Sequence, residues 1–174
     1  MNINYKEIEY KNFGKCLSIN NGTLELIVTL DMGPRVINFR MLNDENIFFE
    51  DIERELYTKH SDMEKFFGKN ATWYGLGGHR LWRAPESYST YYPADGPVKY
   101  EVKDNSFKFI QKVQRYNEVQ LSFTLSFKTN DTVEFIGNIE NKSNKNKTLS
   151  AWSLSMCKGP GIEIIKLPKD SVGF

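Results

Sequence analysis

The residues best suited to chemistry in this sequence are gathered between Trp73 and Pro97. The run Trp73-Tyr74-Gly75-Leu76-Gly77-Gly78-His79-Arg80-Leu81-Trp82-Arg83-Ala84-Pro85-Glu86 is followed closely by Tyr91-Tyr92-Pro93-Ala94-Asp95-Gly96-Pro97. Two of the three tryptophans and one of the two histidines fall there. Glycines let backbone approach closely, tryptophan rings offer flat apolar faces, and His, Arg, Glu and Asp offer donors and acceptors. Such a mixture suits a polar ligand with apolar patches, and a sugar is the first candidate.

Each residue carries two readings. His79 faces a ligand or is a loop histidine bonded to backbone. Trp73 and Trp82 stack on the C–H face of a sugar or pack against each other. Glu86, set by Pro85, accepts from a ligand hydroxyl or anchors an arginine. Arg80 and Arg83 lie three apart, and one of them is expected to be structural. Upstream, Arg35 presents a planar fork that fits vicinal hydroxyls or a carboxylate, or it pairs with Asp31. Asp95 binds ligand or is a plain turn residue. His60, in a charged segment, reads as a surface residue. There is no His-x-x-x-His and no cysteine cluster, and no nucleotide or nucleophile-elbow motif, so no metal or cofactor is expected.

The elements that must position these residues are strands. Lys15 to Ile19 and Leu24 to Thr29 flank an Asn20-Asn21-Gly22 turn, a strong hairpin signal. Asp31-Met32-Gly33-Pro34 breaks the second strand, and Arg35 to Met41 resumes as a third. Ile47 to Phe49 reads as a short strand. Glu50 to Lys69 has no period-2 pattern, and Ile52, Leu56 and Met63 mark a short helix. The span from there to Pro97 reads as long loops with at most one short strand, of the kind that carries function. From Val98 a meander begins: Val98, Tyr100 and Val102; Phe107 and Phe109; Val119, Leu121, Phe123, Leu125 and Phe127; Val133 to Ile139; and Thr148 to Met156, with Trp152 in the core. Ile162 to Ile165 follows a Gly159-Pro160-Gly161 turn. Consecutive alternating strands without a helical period predict an all-β antiparallel sandwich in a single domain, residues 1–174.

With 40 % hydrophobic and 14 % aromatic residues, the chain can build a core and ring-lined pockets. A net charge of +1 with interspersed signs argues against a nucleic-acid or anionic-membrane partner. No apolar run approaches the roughly 18 residues of a membrane span. Cys16 and Cys157 are expected to be free, buried thiols of a cytoplasmic protein.

Three stretches give the chain a likeness to a known family: Leu24 to Phe39 with its Gly33-Pro34-Arg35 turn, Gly77-Gly78-His79-Arg80-Leu81-Trp82, and Val133 to Met156 with its Asn-Lys-rich tip. In their order and spacing the sequence resembles the galactose mutarotase-like superfamily of sugar-binding sandwiches. It is most similar to an uncharacterised branch with a Gly-Gly-His-x-x-Trp-x-x-Pro-Glu pattern. The resemblance covers about the first half to two thirds of a family member, so the chain reads either as a complete small sandwich or as part of a longer one. Aldose 1-epimerases of that family use a histidine acid and a glutamate base, with a second histidine, an arginine and an aspartate holding hydroxyls. Arg35 and His79 match two of these. The second histidine would fall within Ala151 to Met156, which has none, and the family glutamate lies in a later segment.

The resemblance implies a small-molecule sugar or glycan as partner. It suggests an anomeric isomerase with His79 as acid and Glu86 as replacement base, its substrate held by Arg35, Trp73, Arg80, Trp82 and Asp95. The competing readings are a non-catalytic carbohydrate-binding or sensing module, and a fragment that pairs with a second copy through an open sheet edge.

Overall fold

A computed structural model describes residues 2–93, 96–162 and 164. Its main elements are two antiparallel sheets packed face to face, which bears out the all-β sandwich. The first sheet has strand order β1-β2-β3-β4-β7-β12, and the second β11-β10-β9-β8. The strands of the first are β1 (Asn4–Glu9), β2 (Lys15–Asn20), β3 (Leu24–Thr29), β4 (Val36–Met41), β7 (Gly78–Ala84) and β12 (Ser150–Met156). Those of the second are β8 (Lys99–Lys103), β9 (Ser106–Ile110), β10 (Val119–Phe127) and β11 (Val133–Asn141). A small pair, β5 (Tyr57–Thr58) with β6 (Trp73–Tyr74), and one helix, α1 (Ser61–Phe67), lie in the connection from β4 to β7.

The core between the sheets follows the alternation in the sequence. Leu24, Leu26 and Val28 from β3 meet Phe107 and Phe109 from β9, and Phe123, Leu125 and Phe127 from β10. These side chains are at most 3 % exposed, and burying each contributes about 1.5–3 kcal/mol. A second patch, formed by Leu81 of β7 with Val119 and Leu121, joins the sheets near β7. The alternate residue Ile27 is also buried, because the outer face of the first sheet is covered as well. It packs with Phe13, Cys16, Ile37 and Leu76. Further along that face, Met63 of α1 packs with Trp73 and Trp82.

Five expectations need correction, the first being the short strand at Ile47 to Phe49, where Phe48 makes an isolated bridge with Cys157 instead. The stretch expected as loop contains β7, a seven-residue strand inside the six-stranded sheet. Both of its faces are covered, so its sequence lacks the polar alternation of a half-exposed strand. The helix is only Ser61–Phe67, so Met63 belongs to it while Ile52 and Leu56 do not. Trp152 is 38 % exposed rather than in the core, since β12 is the last strand of the sheet and, among the described strands, pairs with β7 alone. Of the free cysteines, Cys16 is buried, with its thiol pushed up to about 12 by desolvation, but Cys157 is exposed just past β12. The strand expected at Ile162 to Ile165 falls largely outside the described residues. No helix among the described residues is long and apolar enough to cross a membrane.

The entry into β7 requires glycine. Gly77 has φ +89°, and a Cβ there would stand 2.1 Å from the carbonyl oxygen of Phe49. Gly78 has φ +69°, and its Cβ would stand 2.4 Å from the carbonyl oxygen of Val36. Gly22, in the β2–β3 hairpin, also has positive φ but nothing within 4 Å of a Cβ. Gly77→Ala should therefore cost at least about 2 kcal/mol, against about 1 kcal/mol for Gly22→Ala. Urea midpoints of the two variants check the difference, and equal shifts would contradict the close packing.

Candidate functional site

The site is a cleft produced by a break in the first sheet. β7 pairs with β12 along its whole length, from Gly78 with Met156 to Ala84 with Ser150. On its other side the one register pair with β4, among the described residues, is Val36 with His79. Before Val36 the chain turns away through Gly33-Pro34-Arg35. Gly33 has φ +103°, the Arg35 N–H donates to Thr29 Oγ1 at 3.0 Å, and the Thr29 N–H donates to the Arg35 carbonyl at 3.0 Å. The edge of β7 from Arg80 onward thus faces an opening instead of a neighbouring strand. Gly33 to Arg35 form one wall and Arg80 to Arg83 the other, and Leu121, Ser122 and Phe123 of β10 lie at the bottom.

A line of amides crosses this floor. Arg83 donates to Asn117 Oδ1 at 2.7 Å, Asn117 to Gln114 Oε1 at 2.8 Å, and Gln114 to Gln111 Oε1 at 3.2 Å. Gln111 in turn donates to the Gly33 carbonyl at 3.2 Å, so side chains link the two walls. Sequence reasoning missed Gln111, Gln114 and Asn117 as site residues. Their one signal was three amides at a spacing of three in a segment between strands.

The arginines are held by rings and carbonyls. Arg35 is 3 % exposed, and it donates to the carbonyls of Gly77 and Tyr74 at 3.4 Å each. It does not pair with Asp31, whose Oδ2 accepts from the Lys15 N–H at 2.8 Å. Desolvation, followed by the like charges of Arg80 and Arg54, pushes its pKa well down. The Arg80 guanidinium lies 4.9 Å from the Trp73 ring and 4.4 Å from the Trp82 ring. Burial lowers its pKa to about 10, and the charge of Glu86 partly opposes that shift.

Trp73, Trp82 and Tyr91 pack edge to face, with centroids 5.2–5.6 Å apart. Both tryptophans line the cleft and pack against each other. Glu86 is exposed and accepts from the Tyr91 hydroxyl at 2.7 Å, which pushes that phenol up to about 12. His60 is exposed as expected. It caps α1, accepting from the Asp62 N–H at 3.1 Å, and stacks on Tyr88 at 4.0 Å.

His79 lies on the other side of β7. Side chains alternate along a strand, and His79 points with Leu81 toward the second sheet. Its Nδ1 is 2.7 Å from Ser155 Oγ, and its ring meets the edge of Phe135 at 4.3 Å. It lines an apolar hollow of about 140 Å³ with Leu26, Phe39, Phe48 and Val133. The structure therefore brings Arg35, Trp73, Arg80 and Trp82 together, joins Glu86 to them through Tyr91, and sets His79 apart. Asp95 lies outside the described residues.

Burial lowers the His79 pKa below its ordinary value of 6.5 and favours the neutral ring. Between the two values the unfolded chain binds the extra proton, so stability rises with pH there. His79 contributes fully above pH ~6.5, and that contribution is lost as pH falls through the lowered value. Urea midpoints between pH 7 and 5 should fall less steeply in His79→Gln than in the parent protein, and an unchanged slope would contradict a neutral, buried His79. Comparison of the chain with protein-family models, curated proteins and solved structures found no match.

Proposed function

We propose that this protein binds a carbohydrate at the mouth of the cleft between β7 and the Gly33–Arg35 turn, on a fold of the galactose mutarotase-like kind. One observation carries the reading: Trp73 and Trp82 meet the donors of Arg35, Arg80, Arg83, Gln111 and Gln114 in one cleft. Sugars combine apolar C–H faces with a dense rim of hydroxyls, and pockets for such ligands join apolar walls to a few fixed polar groups. The resemblance of the Gly33-Pro34-Arg35 and Gly77-Gly78-His79 stretches to sugar-binding sandwiches supports the same reading.

Binding without anomeric chemistry is the favoured form. An anomeric isomerase needs its acid and base within hydrogen-bond reach of one substrate. His79 faces the apolar hollow on the inner side of β7, whereas Glu86 is tied to Tyr91 beside the outer-face tryptophans. The free thiols of Cys16 and Cys157 suit a reducing, cytoplasmic setting for this binding protein.

Titration with galactose, glucose and their oligomers, followed by tryptophan emission and calorimetry, tests the proposal. A saturable signal is expected, with affinity reduced about 5- to 10-fold in Gln111→Ala for one lost hydrogen bond. The absence of any signal from neutral and acidic sugars alike would overturn it. Anomer exchange followed by NMR in the same samples should proceed at the uncatalysed rate. Acceleration lost in His79→Gln would replace the binding reading with the isomerase one.

A further inference from the structure

The cleft is positively charged to an unusual degree for a site that would hold a neutral sugar. Arg35, Arg80 and Arg83 all line it, and among the described lining residues there is no aspartate or glutamate. The nearest acidic influence is Glu86, whose charge reaches Arg80 but whose Oε1 is already bonded to Tyr91. Arg35 is buried, and the charges acting on it are those of two further arginines. Buried guanidinium groups are ordinarily matched by carboxylates.

A second observation agrees. Arg80 Nε, Trp82 Nε1 and Arg83 Nε are buried donors without an acceptor among the described residues, and all three side chains belong to the cleft wall. Buried donors are rarely left unpaired. The free space within the cleft is about 40 Å³. At ~10–15 Å³ for each water-sized position, that is room for a small group of three or four heavy atoms, not for a pyranose ring.

Resting on the carbohydrate reading above, we propose that the ligand is an acidic sugar, whose carboxylate or phosphate enters the cleft between Arg35, Arg80 and Arg83 while the ring stays at the mouth. The oxyanion neutralises the wall arginines and supplies acceptors to the unpaired N–H groups, and the planar guanidinium forks fit its geometry. Tyr92 and Thr90 also line the cleft and give its walls further polar atoms.

Calorimetry with galactose, galacturonate, glucose, glucuronate, glucose 6-phosphate, acetate and inorganic phosphate tests this. At least one acidic sugar should bind tenfold or more tightly than its neutral counterpart. The preference should weaken as salt rises from low to physiological strength, and it should fall below threefold in Arg80→Gln or Arg83→Gln. Urea midpoints establish that the variants fold, and the salt dependence of the parent protein gives a readout that needs no variant. A tighter uronate identifies a carboxylate and a tighter sugar phosphate identifies a phosphate, and either supports the proposal. Equal affinity for neutral and acidic sugars overturns the acidic ligand and leaves the carbohydrate reading standing. Acetate or inorganic phosphate binding as tightly as the sugar acids overturns the proposal together with the carbohydrate reading.

Discussion

The backbone register pair of Val36 in β4 with His79 in β7, one pair long among the described residues, is the constraint on which the rest of the site depends. A longer ladder would close the first sheet and leave no cleft. The ladder is short because both chains are steered away from it by glycines in positive φ. Gly33 turns the β3–β4 connection back on Thr29, and Gly77 and Gly78 bring the start of β7 under the carbonyls of Phe49 and Val36. Past that crossing, Arg80 to Ala84 keep β12 on one side and an opening on the other. The fold thus creates a cleft by omitting strand pairing within a sheet, and the apolar residues of β10 beneath keep the sheet supported across the gap.

Burying arginine side chains beside the cleft works against stability. Each buried arginine loses hydration that carbonyl oxygens only partly replace, and an unpaired buried charge costs several kcal/mol. The protein offsets this with aromatic rings. Arg80 lies over Trp73 and Trp82, and Arg35 lies 5.8 Å from Trp73. Cation–π contacts of this kind contribute roughly 0.5–2 kcal/mol each. The three-ring cluster of Trp73, Trp82 and Tyr91 rests on Met63 of α1 and Leu154 of β12. The connection from β4 to β7 therefore covers the outer face of the sheet and also holds the guanidinium groups in place.

Much of the fold was legible in the sequence because the second sheet has one face on the core. The alternation from Val119 to Phe127 announces β10 directly, and the Asn21-Gly22 turn announces the β2–β3 hairpin. β7 was not legible as a strand. A strand covered on both sides carries Arg80 and Trp82 on one face and His79, Leu81 and Arg83 on the other, which erases the period-2 contrast. The gathering of Arg35, Trp73, Arg80 and Trp82 was anticipated from residue type. The exclusion of His79 followed from side-chain direction, which residue type does not encode. Gln111, Gln114 and Asn117 were hidden for a different reason. Amides between strands look like solvated loop residues until tertiary contacts bury them, and here Gln114 and Asn117 are 4 % and 6 % exposed.

The amide line beneath the cleft also has a direction. Every member donates toward the next in the same sense, from Arg83 through Asn117, Gln114 and Gln111 to the Gly33 carbonyl. Reversing any one amide would set donor against donor on one side and acceptor against acceptor on the other, so the four bonds hold their sense as a unit. Aligned dipoles in a low-dielectric interior reinforce one another. The floor is therefore polarised end to end, with a cationic head at Arg83 and a carbonyl tail at Gly33. The two ends of the cleft floor are therefore electrically different, and that asymmetry distinguishes the Arg83 side of the opening from the Gly33 side.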